Sequence, residues 1–82
     1  MDWVHVTFTT AGGAIAAQKA LEGVCPAMVM PVLRQVSAGC GIALRLTPEV
    51  WEQARDALAA AGVDTRFYAV TGTGTALHCE AL

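Results

Sequence analysis

Residues 42–49, Ile-Ala-Leu-Arg-Leu-Thr-Pro-Glu, determine the order of structural elements in this chain. Ile42, Leu44 and Leu46 share one face of an alternating pattern, which is typical of a strand covered on one side. The three residues that follow combine a capping threonine, a first-turn proline and a first-turn acid, and together they predict a helix start. A strand therefore passes directly into a helix in the middle of the chain.

The same patterns continue in both directions from this point. Strands are predicted where β-prone apolar residues alternate or cluster, over residues 3–8, 27–32, 42–46 and 65–70. Helices are predicted where helix formers repeat at helical spacing and a glycine follows, over residues 14–22 and 50–61. The order of elements is strand, helix, strand, strand, helix, strand.

This order predicts an α+β fold of the ferredoxin-like type, a βαββαβ two-layer sandwich. Since each strand-helix-strand unit crosses over right-handed, the sheet is expected to have four antiparallel strands, with both helices on one face. Residues 1–70 form this single domain. Residues 71–82 include Thr-Gly-Thr-Gly-Thr and have no periodicity, so they are expected to be a flexible C-terminal tail.

Composition excludes several classes of function. The 82 residues suffice for one modest core, and 55% hydrophobic against 15% charged residues indicate a packed globular fold. A formal net charge of -2 and the lack of a basic run argue against nucleic acid as a partner. No apolar stretch approaches the roughly 20 residues of a membrane span, and no secretory signal is recognisable, so we expect a cytoplasmic location.

The chain has three cysteines, Cys25, Cys40 and Cys79. Their odd number and the lack of a C-x-x-C pair favour reduced thiols over a disulfide framework or a zinc site. Cys40 lies between Gly39 and Gly41, where the absence of side chains would let a bulky partner approach the sulfur. It is the candidate reactive thiol.

The predicted topology brings Cys40 close to the start of the first helix. In this fold the connection between strands two and three lies at the same end of the sheet as the connection from strand one into helix one. Hydroxyls and unhindered amides are expected there beside the positive end of the helix dipole, an environment that favours an anion. The residues that would supply them are Thr9, Thr10, Gly12 and Gly13.

Two arginines, Arg34 and Arg45, lie within a few residues of Cys40 in the sequence. Their positive charge would favour the thiolate, which is the reactive form of a cysteine. A purely structural role for Cys40, as a small apolar side chain in a tight turn, is equally compatible with these observations. Cys25 is expected to fill the core, and Cys79 is either an inert residue or a resolving thiol for Cys40.

The stretch from Pro31 to Arg45 resembles the central motif of a family of small bacterial proteins described as selenium/sulfur carrier-like. That motif runs Pro-x-Pro-Arg-x-x-Ser-x-x-Cys-Gly-x-Ala. The residues of this chain that match it are Pro31, Arg34, Ser37, Cys40, Gly41 and Ala43. The resemblance extends over about residues 3–70; Leu33 replaces the second proline, Gln35 a common glutamate and Gly39 a frequent small hydroxyl residue.

The resemblance implies a carrier rather than a turnover enzyme. Cys40 would hold sulfur or selenium as a persulfide or selenosulfide, receive it from a donor enzyme and pass it to an acceptor protein. No cofactor is implied beyond the carried atom. Whether the carried element is sulfur or selenium, and whether the chain forms a homodimer, are left open.

Two other functions are weighed against the carrier. A non-catalytic interaction or regulatory module would present Trp3, His5 and Arg45 on an open sheet face to a partner or a second copy. A metal site made by Cys40 with His78, Cys79 or His5 is weaker, because the spacing matches no standard site, and no metal is expected. Hydrolysis is not expected, since no nucleophile has a clear histidine and carboxylate partner.

Overall fold

The computed structural model describes residues 1–36 and 38–82. It contains five strands, two α-helices and two short 3-10 turns. In chain order the elements are β1 (Trp3–Phe8), α1 (Ala11–Leu21), β2 (Met28–Pro31), β3 (Ile42–Leu46), a 3-10 turn (Pro48–Val50), α2 (Trp51–Ala60), β4 (Thr65–Thr71), a second 3-10 turn (Gly74–Ala76) and β5 (His78–Ala81). No helix in the described ranges is both long and apolar enough to cross a membrane.

The strands form one sheet in the order β2-β3-β1-β4-β5, and every neighbouring pair is antiparallel. The first four strands have the roughly ferredoxin-like arrangement that the element order predicts. Pro31 ends the outermost strand β2, where the missing amide costs no ladder hydrogen bond. The connection between β2 and β3 therefore leaves from one edge of the sheet.

The predicted number of strands is wrong, because the sheet has five. The fifth strand, β5, lies within residues 71–82, which were expected to be a tail, and it pairs with β4 from Tyr68↔Ala81 to Thr71↔His78. Because β5 has only four residues, its alternating pattern is too short to be recognised in the sequence. Gly72 donates its amide hydrogen to Asp2 Oδ2 over 2.9 Å, which ties the segment before β5 to the start of β1.

The main core lies between the helices and one face of the sheet. Apolar side chains of β1 and β3 meet small and branched residues of α1 and α2, and all are buried: Val4, Val6, Phe8, Ala14, Ala17, Leu21, Leu44, Leu46, Ala54 and Leu58. Alanines along α1 let this helix pack closely on the strands. At the end of α2, Gly62 adopts a positive φ of 72°, and Val63 N–H closes the helix on Leu58 O over 3.0 Å.

The second face of the sheet is not open, which corrects the expectation that it presents Trp3 and His5 to a partner. Trp3 is 8% exposed and His5 is fully buried, so β1 is covered on both faces. The chain that follows β2 reaches this face, where Leu33 N–H donates to His5 Nε2. Arg45 is the exposed member of the three.

Candidate functional site

Cys40 belongs to the connection between β2 and β3, called here the thiol loop and comprising residues 32–36 and 38–41. At its base Val32 N–H donates to Gly41 O over 3.2 Å, which extends the β2–β3 ladder. Val36 N–H donates to Leu33 O over 3.0 Å and forms a turn within the loop. The loop is thus a closed projection from the edge of the sheet.

His5 anchors the beginning of the thiol loop to the sheet. Its Nε2 accepts a hydrogen bond from Leu33 N–H over 3.3 Å. Desolvation by burial lowers the pKa of His5 from 6.5 to about 4, so the ring is neutral near neutral pH. A neutral imidazole with an unprotonated Nε2 is the form that accepts this bond.

Gly39 anchors the end of the thiol loop to the start of α1. A Cβ atom at this position would lie 2.1 Å from Thr9 O and 2.8 Å from Thr9 C, which no side chain tolerates without a backbone shift. Glycine therefore permits the loop to press against the chain between β1 and α1. The thiol loop lies beside the helix start, as the topology predicts.

The polar groups at this helix start are partly engaged with one another. Thr10 is the N-cap residue of α1, and its hydroxyl oxygen accepts a hydrogen bond from Gly13 N–H over 3.0 Å. Thr9 and Gly12 are exposed. Thr10 caps the helix beside the thiol loop, and α1 begins at Ala11, three residues earlier than expected.

Cys40 is half-buried, and its side chain packs against the main core. Its Sγ–H donates to Ile42 O over 3.3 Å, so the reduced thiol is held at the base of its own loop. A Cβ atom built on the neighbouring Gly41 would have no heavy atom within 4 Å. The position directly after Cys40 is therefore exposed, with open space around it.

The other two cysteines lie in different surroundings. All three are free thiols, but burial raises the pKa of Cys25 and of Cys79 above the ordinary value. Cys25 follows α1, whose 11 residues separate it from the helix start by about 16 Å. It also packs against the main core, as expected for a core-filling residue.

Cys79 is distant from Cys40 in two directions. It lies on β5, three strand spacings or about 14 Å from β3. Its partner Val70 pairs with Trp3, at the end of β1 opposite to the thiol loop. Since disulfide-linked residues have Cα atoms within about 7 Å, the hypothesis that Cys79 resolves Cys40 within one chain is wrong.

The two candidate arginines are placed differently from each other. Arg34 is exposed in the turn of the thiol loop. Arg45 has its guanidinium 4.5 Å from the centre of the Trp3 ring, on the sheet face that carries His5. Its charge is thus engaged with an aromatic ring on the face opposite to the main core, against which Cys40 packs. Ser37, the remaining candidate, lies outside the described residues.

No group of three or more metal-ligating side chains forms among residues 1–36 and 38–82. His78 and Cys79 are on β5, far from Cys40, and His78 Nε2 lies 3.4 Å from Glu80 Oε1. His5 is enclosed beneath the thiol loop on the second face. The structure therefore does not bring Cys40 together with His5, His78 or Cys79.

A cleft of about 290 Å³ opens beside the contact between the loop and the helix start. Cys40 is not among the residues that line it. The lining residues come from the end of β1, the thiol loop and the start of β4: Thr7, Phe8, Thr9, Ala38, Gly39, Asp64, Thr65 and Arg66.

His5 is the site residue whose role sequence reasoning missed. The alternation in β1 placed it correctly on the face opposite to the main core. This alternation did not indicate that the chain after β2 covers that face. A histidine amid the residues of a central strand was the one available signal, because a buried imidazole needs a hydrogen-bond partner.

Comparison with known families gives one match. The model of the family described as “Putative Se/S carrier protein-like” matches residues 4–69, which include β1 to β4 and the whole thiol loop. Comparison with curated proteins and with solved structures gave no match. The matched range ends before β5.

Proposed function

The chain belongs to the Se/S carrier protein-like family, and on this premise we propose that Cys40 carries sulfur or selenium between two proteins. A donor enzyme delivers the atom to Cys40, which holds it as a persulfide or selenosulfide. An acceptor protein then removes it. This function needs one accessible thiol in a fixed position and no resident cofactor.

The observation that carries the proposal is the position of Cys40 in a loop anchored on both sides. Gly39 presses on Thr9 directly before the cysteine, and Val32 N–H donates to Gly41 O directly after it, with Leu33 N–H bonded to His5. Gly41, directly after the cysteine, is exposed and carries no side chain. A fixed sulfur with a free approach suits transfer between proteins, because the partner's reacting group must come within bonding distance.

The transfer step balances without an added oxidant. The Cys40 thiol loses its proton to solvent, and its sulfur attacks the terminal sulfur of a persulfide on the donor. The sulfur–sulfur bond of the donor breaks, and its electron pair returns to the donor cysteine as a thiolate. A nucleophile of the acceptor later attacks the terminal sulfur on Cys40, and that electron pair returns to Cys40.

The contacts of Cys40 are compatible with this step. Its hydrogen bond to Ile42 O uses the thiol proton and is lost when the thiolate forms. The partly buried side chain is held by the core, so the sulfur itself need not be fixed by that bond. Burial raises the pKa of the Cys25 and Cys79 thiols, which reduces the thiolate fraction of both.

The test is the mass gained by the reduced protein in the presence of a cysteine desulfurase and cysteine. The wild-type chain should gain the mass of one sulfur atom, which a reductant or an acceptor thiol removes. Cys25→Ser and Cys79→Ser should be loaded like the wild type. Cys40→Ser should remain unloaded.

A folded Cys40→Ser variant that is loaded as fully as the wild type would overturn the proposal. So would a wild-type chain that stays unmodified with both sulfur- and selenium-charged donors. Parallel reactions with cysteine and selenocysteine distinguish the two elements.

A further inference from the structure

His5 occupies an unusual place for a histidine. It is fully buried in the middle of β1, where it pairs with Arg45 on β3 and with Tyr68 on β4. The Trp3 ring meets it edge-on, with ring centres 5.6 Å apart. Burial of an imidazole among such neighbours is costly unless its nitrogens are bonded.

Only one of its two nitrogens has a partner among residues 1–36 and 38–82. Nε2 accepts the hydrogen of Leu33 N–H, while Nδ1 is buried without a hydrogen bond. Because Nε2 is the acceptor, the proton of the neutral ring is on Nδ1. The hydrogen bond between Leu33 N–H and His5 Nε2 joins β1 to the thiol loop, 28 residues away in the chain.

The donor is a backbone amide, which any residue except proline can supply. Leu33 stands at the position of the second proline in the motif that the chain resembles, and a proline has no N–H to donate. Leucine loses the fixed φ of proline but supplies the hydrogen that His5 accepts. The bond thus restrains the loop where the proline ring is absent.

We infer that His5 is a positioning residue for Cys40, holding the first half of the thiol loop against the sheet through Leu33 N–H. The inference rests on the proposed function only for what Cys40 then does. Val32, the neighbour of Leu33, donates its N–H to Gly41 O directly after Cys40, and Gly39 presses on Thr9 directly before it, so the cysteine is held between these two contacts. Losing the His5 contact frees the half of the loop that leads to Cys40.

The test compares His5→Phe with His5→Gln. Phenylalanine retains an apolar ring but has no acceptor, whereas the glutamine amide oxygen can accept from Leu33 N–H. In His5→Phe we expect Leu33 amide exchange and Cys40 alkylation to become about three- to tenfold faster, as for the loss of one hydrogen bond. His5→Gln should stay closer to the wild type.

Cys25 and Cys79 in the same sample are internal controls, because their alkylation rates should not change. An unchanged rate at Cys40, or an equal increase at all three thiols, would overturn the inference. Nitrogen NMR shifts of His5 in the wild-type chain provide a test that needs no variant. They should show a proton on Nδ1 and an unprotonated Nε2, and the opposite tautomer would refute the contact.

Alkylation and amide exchange need no carried sulfur or selenium. An unloaded wild-type chain would therefore remove the proposed function and leave the positioning role of His5 intact. An unchanged alkylation rate of Cys40 in His5→Phe would remove the positioning role of His5 and leave the proposed function intact.

Discussion

At the scale of single residues, the thiol loop is fixed by contacts with backbone atoms. His5 receives the amide hydrogen of Leu33, and Gly39 rests on the carbonyl of Thr9. The first contact uses only the backbone of Leu33, and the second requires that residue 39 has no side chain. Hence the positions that control Cys40 are recognisable only when the path of the chain is known.

The burial of His5 predicts a pH dependence of stability. Its pKa falls from 6.5 to about 4 on folding. Between these values the unfolded chain binds a proton that the folded chain does not, so stability is complete above about pH 6.5 and declines towards about pH 4. The expected loss is roughly 3 kcal/mol, measurable by urea unfolding across this range.

Comparison of variants separates the contribution of His5 to this pH dependence from that of the carboxylates, which titrate in the same range. Arg45 and Tyr68 flank His5 on the neighbouring strands and are unchanged in all samples. His5→Gln should lose the additional slope between about pH 6.5 and pH 4. His78→Gln, which alters an exposed histidine, should retain it, and an equal slope in His5→Gln would contradict the assignment.

At the scale of elements, the site arises where the β2–β3 connection meets the start of α1. The sequence allowed this meeting to be predicted, because the right-handed crossover rule places both connections at one end of the sheet. It did not predict that residues 32–36 turn back over the second face. That path depends on the bond of Leu33 N–H to His5, 28 residues away in the chain.

The contact between these elements is tested by Gly39→Ala. The new Cβ would lie 2.1 Å from Thr9 O, so the loop or the helix start must shift. We expect the free energy of unfolding to fall by about 1–3 kcal/mol, as for overpacking elsewhere. Urea unfolding measures this loss.

Gly41→Ala is the matched control, since its Cβ would meet no heavy atom within 4 Å. Its stability should stay within about 0.5 kcal/mol of the wild type. Equal stability of the two variants would show that the loop does not press on Thr9.

At the scale of the whole molecule, the fold keeps the three cysteines apart. Cys40 is at the end of the sheet where α1 begins, Cys25 follows the other end of this helix, and Cys79 is on the far edge strand. Intramolecular disulfides between them are therefore disfavoured by distance. A carrier benefits from this separation, because a nearby thiol would displace the carried sulfur.

The position of β5 predicts the result of a truncation that removes residues 78–82. The strand lies at the edge opposite to β2 and is mostly exposed. Its loss should lower stability by roughly 1–3 kcal/mol, since one ladder of hydrogen bonds disappears. Loading of Cys40 should persist, and a folded truncation that cannot be loaded would contradict the separation of β5 from the site.

The sequence predicted the first four strands and both helices, because alternation and capping signals are local patterns. It missed β5, whose four residues are ordered by pairing with β4. It also assigned Arg45 to the thiol, although the arginine stacks on Trp3. Contacts across the sheet, and not local preference, determine these features.

Peptide mapping of the loaded wild-type chain tests directly whether Cys40 carries the transferred atom. After reaction with a charged donor enzyme, all three thiols compete within one molecule. We expect the added sulfur or selenium on the peptide that contains Cys40, with Cys25 and Cys79 unmodified. Added mass on either of those peptides, with Cys40 still a free thiol, would contradict it.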